Sequence, residues 1–333
     1  MTWLSDGALR RLRDAADWPD LTATRYDAVE RIGRGGMGTV YAARDRELDR
    51  LVALKVLSLP DPGPDAIARM LREARIIAHL EHPSIVPIHD VGRLPDGRVY
   101  YTMKLVRGRR LDEHARTVTA LPELLRQYGR ICEAVAFAHD AGVIHRDLKP
   151  ENVMVGPFGE VLVMDWGVAK LRGERPGAAP IGAVPDDPSS TDHGTVLGTP
   201  GYMAPEQAAG HVESVDERTD VFALGAILYF LLTKRVPPTA GPLEPARTVN
   251  RGAPKALDAI CRKAMAPTPA DRYPGVEALG ADVERFLARE HVEAYPEGLL
   301  ERGLRLVSKY RTPILLVLAY LLMRVILLLV GGS

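Results

Sequence analysis

The string His145-Arg146-Asp147-Leu148-Lys149-Pro150-Glu151-Asn152, answered downstream by Asp165-Trp166-Gly167, constrains this chain more than any other feature. It crowds a carboxylate, cations and an amide into one short stretch, and a hairpin-like run then leads to a second carboxylate. Only a fold that brings two loops to one place can use both. Asp147 can accept or orient a hydroxyl proton, and Lys149 can offset charge on a transferred group. Asn152 and Asp165 offer hard oxygen ligands suited to Mg²⁺, with Mn²⁺ as a substitute. A capped turn with a satisfied core histidine accounts for any one of these residues but not for all of them together.

Upstream, Ile32-Gly33-Arg34-Gly35-Gly36-Met37-Gly38-Thr39-Val40 contains GxGxxG, whose missing side chains let backbone amides approach phosphate oxygens. Alone, this pattern fits an ordinary glycine-rich turn. A dinucleotide fold needs a helix directly after the glycines. Thr39-Val40-Tyr41-Ala42-Ala43 instead looks like a returning strand, so the loop is expected to be a flap between strands. In Val52-Ala53-Leu54-Lys55 a lysine stands among apolar strand residues, where an unpaired ammonium is expensive. Glu73, on the helix that follows, is its expected partner. The pair would hold Lys55 toward nucleotide phosphates.

The remaining pattern predicts a strand-rich half followed by a helix-rich half. Strands are expected over 26–45, 49–59, 84–91 and 98–105, with a Leu94-Pro95-Asp96-Gly97 turn between the last two. A helix is expected over 66–80, and others over 121–141, 220–232, 255–265 and 276–289. Residues 173–194 break both periods and read as a mobile loop. Lys plus Arg equal Asp plus Glu at 43 each, so the chain as a whole gives no electrostatic reason to expect nucleic acid as a partner. Cys132 and Cys261 sit in apolar helical stretches and read as small buried hydrophobes in a reducing compartment.

The N-terminus has no apolar core of signal-peptide length. The C-terminus differs sharply. From 314 to 330 the chain carries 13 Leu, Ile and Val among 17 positions, interrupted by Arg324 alone among charged residues. On an insertion scale those 13 contribute about −4 to −8 kcal/mol against about 2.5 to 3.5 kcal/mol for the arginine, so a single transmembrane helix over 313–331 is expected. Arg302, Arg305, Lys309 and Arg311 precede it, which puts everything before it on the cytoplasmic side. A buried or interfacial C-terminal helix is the plainer alternative.

Together these motifs resemble the protein kinase superfamily, most closely bacterial serine/threonine kinases of the eukaryotic-like type, over roughly 26–290. The resemblance rests on Gly33, Gly35, Gly38 and Val40, Lys55 in VALK, 145–152, Asp165-Trp166-Gly167 and Ala204-Pro205-Glu206. It implies an α+β, bilobal fold, with a β-rich lobe over 26–105, a helical lobe over 106–290 and ATP between them. An extension (1–25), a basic juxtamembrane segment (291–312) and the membrane helix would flank it. By resemblance, Ile32, Gly33, Gly35, Gly36, Gly38, Val40, Ala53, Lys55, Met103, Lys104 and Val106 line the nucleotide site. Lys55 anchors phosphates with Glu73 behind it, Asp147 is the base, Lys149 assists, and Asn152 and Asp165 hold Mg²⁺. Asp220 braces the catalytic loop, and Arg272 pairs with Glu206.

Lys149 in DLKPEN and Thr199 in GTPGYMAPE match the serine/threonine pattern. Arg146 beside Asp147 implies control by phosphate on the activation segment, with Ser189, Ser190, Thr191 and Thr195 as candidate acceptors. The chain departs from the pattern in three places. Trp166 replaces the usual Phe, Lys104 stands where the hinge often has an acid, and 232–257 is short for the usual helix and loop. The expected function is a membrane-anchored protein kinase acting on Ser and Thr hydroxyls, its own included, with a homodimer as the unit of trans-autophosphorylation. The alternatives are a nucleotide-binding pseudokinase scaffold and a small-molecule phosphotransferase.

Overall fold

The computed structural model describes residues 18–34, 38–57, 63–167, 169–171, 200–210, 215–239, 241–298, 301–303 and 315–324. Among the described residues the first elements are β1 (Tyr26–Arg34), β2 (Gly38–Asp45) and β3 (Arg50–Leu57), then helix α1 (Pro64–His79), then β4 (Ile88–Arg93) and β5 (Val99–Lys104). The strands form one antiparallel sheet in the order β1-β2-β3-β5-β4. Its alternation serves two cores at once, as period-2 strands covered on both faces must. Ala53, Leu57, Val99, Tyr101 and Met103 join Met70, Ala74 and Ile77 of α1 in the larger core, while Val52, Leu54, Val56 and Tyr100 pack with Tyr26 and Tyr41 on the opposite face.

That opposite face is covered from before the first strand. Leu21 is buried in it, and the Trp18 ring meets Tyr41 edge-on at 5.2 Å. The turn between β4 and β5 closes as its sequence predicts, with Gly97 N–H donating to Leu94 O at 3.0 Å and Gly97 at φ 83°. The strand expected over 84–91 starts only at Ile88. Pro87 has no N–H to give a ladder, and Ile85 instead bridges Val163 of the second half. This crossing ties the two halves together.

The second half opens with β6 (Arg109–Arg110), α2 (Leu111–Thr117), α3 (Leu121–Asp140) and β7 (Val143–Ile144). A 3-10 turn (Pro150–Asn152), β8 (Val153–Val155), β9 (Val161–Val163) and β10 (Lys170–Leu171) follow. The helices α4 (Pro205–Ala208), α5 (Glu217–Thr233), α6 (Ala246–Val249), α7 (Lys255–Ala264) and α8 (Val276–Leu287) complete it. Helix α5 is apolar on nearly every side and therefore lies at the centre of the lobe. The Asp216 side chain caps its start by accepting from Arg218 N–H, and Lys234 ends it at φ 58°. Gly225 lets α7 approach closely, since a Cβ there would lie 2.7 Å from that of Ala264.

Between α5 and α7 the described residues form only α6, four residues long. Asn250 fastens this link by donating to Leu232 O at 2.8 Å, and Asp258 does so by accepting from Ala246 N at 2.7 Å. Cys132 and Cys261 are both free and buried, and burial pushes the Cys132 thiol up to about 12.

The packed chain continues beyond α8. Val292 is 2% exposed, and the Asp282 carboxylate accepts from the N–H groups of Glu293 (2.8 Å) and Ala294 (3.0 Å) and from the Tyr273 hydroxyl (2.8 Å). Among the described residues no helix is long and apolar enough to cross a membrane. Residues 315–324 are helical and exposed, and the rest of the expected span lies outside the described residues.

Candidate active site

The sheet register assembles one wall of the cleft. Gly33 stands opposite Val40, Val40 opposite Lys55, and Lys55 opposite Tyr101. In the neighbouring row Ala53 stands opposite Met103. Of the expected nucleotide-site residues, Ala53 and Met103 are buried, Val40 and Val106 are half-buried, and Ile32 and Lys104 are exposed. Gly38 is required by packing, because a Cβ there would lie 2.6 Å from Val56 O. Gly35 and Gly36 lie outside the described residues.

Lys55 meets the helix as its surroundings demand. Its Nζ donates to Glu73 Oε1 at 2.7 Å and to Oε2 at 3.0 Å. Glu73 is 2% exposed, so α1 carries a charge into the core that this lysine must balance. Lys55 Nζ also lies 3.8 Å from Asp165 Oδ1, and Asp165 itself is about half exposed. One ammonium thus bridges the sheet, the helix and the loop after β9.

The loop between β7 and β8 is folded on itself and pinned from behind. Asp147 Oδ2 accepts from Lys149 Nζ at 2.9 Å and from Asn152 Nδ2 at 3.1 Å, and the same amide donates to Asp147 O at 2.8 Å. From α5, the fully buried Asp220 carboxylate accepts from His145 N (2.8 Å) and Arg146 N (2.9 Å) and pairs with His139 Nε2 at 2.8 Å. Burial opposes ionisation of Asp220, but the bond to His139, the charges of His139 and His145 and the backbone bond outweigh it and hold the carboxyl below its ordinary value. Gln207 of α4 adds a bond to Arg146 O at 2.9 Å.

The two loops are joined directly. Met164 N donates to Asn152 O at 2.8 Å, His145 Nε2 lies 3.1 Å from Met164 O, and the His145 ring packs on Trp166 with centroids 4.6 Å apart. Trp166 is fully buried and its Nε1 has no hydrogen-bond partner among the described residues. Arg146 (φ 67°) and Asp165 (φ 61°) both adopt the left-handed region. Such strain costs about 1–3 kcal/mol per residue and persists only where surrounding structure fixes it. Here it falls one residue before Asp147 and at Asp165 itself.

Glu206 and Arg272 meet as expected, in a buried two-pronged pair with both contacts at 2.8 Å, and Thr219 Oγ1 adds a third at 3.0 Å. Ser189, Ser190, Thr191, Thr195 and Thr199 lie outside the described residues. Sequence reasoning missed Tyr101, His139 and Gln207. His139 and Gln207 carry no local signal. Tyr101 stood in a strand whose aromatics all read as core.

The model of the protein kinase domain family matches residues 26–269. The serine/threonine-protein kinase PknD of Protochlamydia amoebophila is 36% identical over 296 residues, which is 79% of this chain and 30% of that protein. PknD of Chlamydia trachomatis serovar L2b is 36% identical over 330 residues, covering 88% of this chain and 34% of the relative. The chain therefore spans about a third of the length of these curated relatives. The crystal structure of the Mycobacterium tuberculosis PknI kinase domain superposes with a TM-score of 0.59 at 26% identity, covering 79% of this chain and 96% of that one. A family match over most of the chain, on a fold that tracks a solved kinase domain nearly end to end, makes this chain a member of the protein kinase family.

Proposed function

We propose that this chain is an ATP-dependent serine/threonine protein kinase, held at a membrane by its C-terminal apolar segment. What supports the reading is the set of contacts among three separate segments: Lys55 with Glu73, the self-bonded loop of Asp147, Lys149 and Asn152, and Asp165 within 3.8 Å of Lys55, its loop joined to Asn152 through Met164 N.

In this reading Lys55 holds nucleotide phosphates, Asp147 orients the acceptor hydroxyl and takes its proton, and Lys149 offsets charge on the group in transit. The donor set fits a hard cation. Asn152 uses its amide nitrogen on Asp147, leaving a carbonyl oxygen, and Asp165 presents a half-exposed carboxylate. These two would hold Mg²⁺, which when bound neutralises phosphate charge. Ile32, Val40, Ala53, Met103 and Val106 supply apolar cover for the base, with Gly33, Gly35, Gly36 and Gly38 over the phosphates and Lys104 at the rim. Asp220 and the Glu206–Arg272 pair keep the loops in shape.

Selectivity for Ser and Thr is supported by Lys149, by the GTPGYMAPE string and by the names of the relatives. Ser189, Ser190, Thr191 and Thr195 are the proposed autophosphorylation acceptors, modified in trans within a transient homodimer. Residues 314–330 and the preceding arginines and lysine support a single-pass anchor with the catalytic lobes in the cytoplasm.

The deciding experiment is transfer from labelled ATP to the protein itself and to a generic protein acceptor, comparing the native chain with Asp147→Asn and Lys55→Met. Label on Ser or Thr that vanishes in both variants is expected, and label persisting in Asp147→Asn removes the assignment of the base. Deleting residues 313–333 should release the protein from membranes with transfer intact. A deletion product still fractionating with membranes refutes the anchor.

A further inference from the structure

We infer that Tyr101 is a positioning residue for this site: its phenol holds the Glu73 carboxylate in the orientation that aims Lys55 into the cleft. The inference rests on the proposed kinase reading for its consequence, but its geometry is independent of that reading. Tyr101 Oη donates to Glu73 Oε1 at 2.9 Å, and this is the same oxygen that Lys55 Nζ meets at 2.7 Å. Both donors come from one rung of the sheet, since Lys55 and Tyr101 are cross-strand partners on the same face. Lys55 Nζ also lies 5.6 Å from the Tyr101 ring centroid, within cation–π range. The carboxylate is thus gripped by two neighbours that the register itself puts side by side.

A second donor matters because the first is to be shared. Glu73 is 2% exposed, so little water can take the place of a lost partner. Lys55 must divide its protons between Glu73 and a phosphate, and the phenol keeps Oε1 bonded while it does so. Tyr101 suits this work, because burial first and the Glu73 charge second hold its phenol protonated far above neutral pH, leaving it a donor throughout. The other side of the carboxylate is closed as well. A Cβ on Gly167 would lie 3.4 Å from Glu73 Oε2, so the loop after Asp165 abuts the same group. Turning α1 to withdraw Glu73 would take the acceptor from the hydroxyl of Tyr101, a residue 2% exposed. The rival account makes Tyr101 a core aromatic that phenylalanine would replace at no cost.

The test is a double-mutant cycle with Tyr101→Phe, which removes one oxygen, and Glu73→Met, which removes the acceptor at similar volume. Two quantities are read in folded protein checked by thermal melting: affinity for Mg-ATP by competition with a fluorescent nucleotide, and steady-state transfer. Tyr101→Phe alone should weaken Mg-ATP affinity and lower kcat/KM for ATP by about three- to tenfold, leaving KM for the protein acceptor unchanged. In the Glu73→Met background the same change should cost nothing further. An equal loss in both backgrounds, or none in either, overturns the inference and leaves Tyr101 as packing. If the native chain binds Mg-ATP with this coupling but transfers no phosphate, the kinase reading falls and the role of Tyr101 stands. Transfer that depends on Asp147 without the coupling removes the role of Tyr101 alone.

Discussion

Two buried carboxylate–cation clasps, one in each lobe, are built to opposite specifications. In the helical lobe Arg272 is wholly enclosed and its donors are fully engaged: Nε on Ala266 O, Nη1 on Glu206 and Arg218 O, Nη2 on Glu206 and Pro267 O. In the sheet lobe the Lys55 side chain keeps 12% of its surface open and looks past Glu73 toward Asp165. A planar guanidinium with a saturated fork fixes shape, whereas a flexible ammonium with protons to spare can pass charge to a ligand. The first clasp is expected to matter for folding and the second for turnover.

The comparison breaks first if Lys55→Met leaves turnover intact. Removing this cation should lower transfer by about 10²- to 10³-fold, the scale for loss of one preorganised charge. Its melting temperature should fall less than that of Arg272→Ala, because Arg272, besides its pair with Glu206, also satisfies the carbonyls of Ala266, Arg218 and Pro267. Arg272→Ala strands a buried carboxylate and should cost about 3–5 kcal/mol. At roughly 2–4 °C per kcal/mol this lowers the melting temperature by about 10 °C, while turnover per folded molecule changes little. Calorimetry and active-fraction titration on the two variants separate the cases.

Acid sharpens the contrast. Burial pushes the Glu206 carboxyl up, but the Arg272 bonds, its backbone bond and Thr219 outweigh this and hold it below its ordinary 4.5. A depressed folded value means that Glu206 adds stability above the ordinary carboxylate range and loses it as pH falls through the folded value. Glu206→Gln should therefore be less stable at neutral pH and lose less between pH 5 and the acid limit, as read from urea midpoints. The smallest effect belongs to Lys255, whose contact with Glu301 at 2.7 Å is exposed on both sides. Lys255→Ala should leave the melting temperature unchanged within error.

Much of the site was legible because expensive groups advertise their needs. A lysine inside an apolar strand requires a counter-charge, and the next helix had Glu73 to give. The loop of Asp147 and Asn152 was legible for the same reason, since so many polar groups in one turn must satisfy one another. What escaped were partners whose residue type is silent about orientation. Tyr101 and Tyr100 are adjacent and both aromatic, yet the pleat sends one to Glu73 and the other to the opposite core. Only the register with β3 decides which. The start of β4 was misread because Val86 and Ile85 look like strand, although Pro87 and the bridge to Val163 take them across to the other lobe. The cover over the outer sheet face was equally silent, because a lone Trp18 and Leu21 in a polar stretch show no period.

The knot at Asp282 governs how mechanical load would enter the molecule. The chain leaving α8 is gripped within a few residues by that carboxylate, by Arg285 on Glu293 at 3.0 Å and by the burial of Val292. A force pulling on the chain beyond α8 is therefore delivered sideways into the bundle around Tyr273 and does not unzip α8 from its C-terminal end.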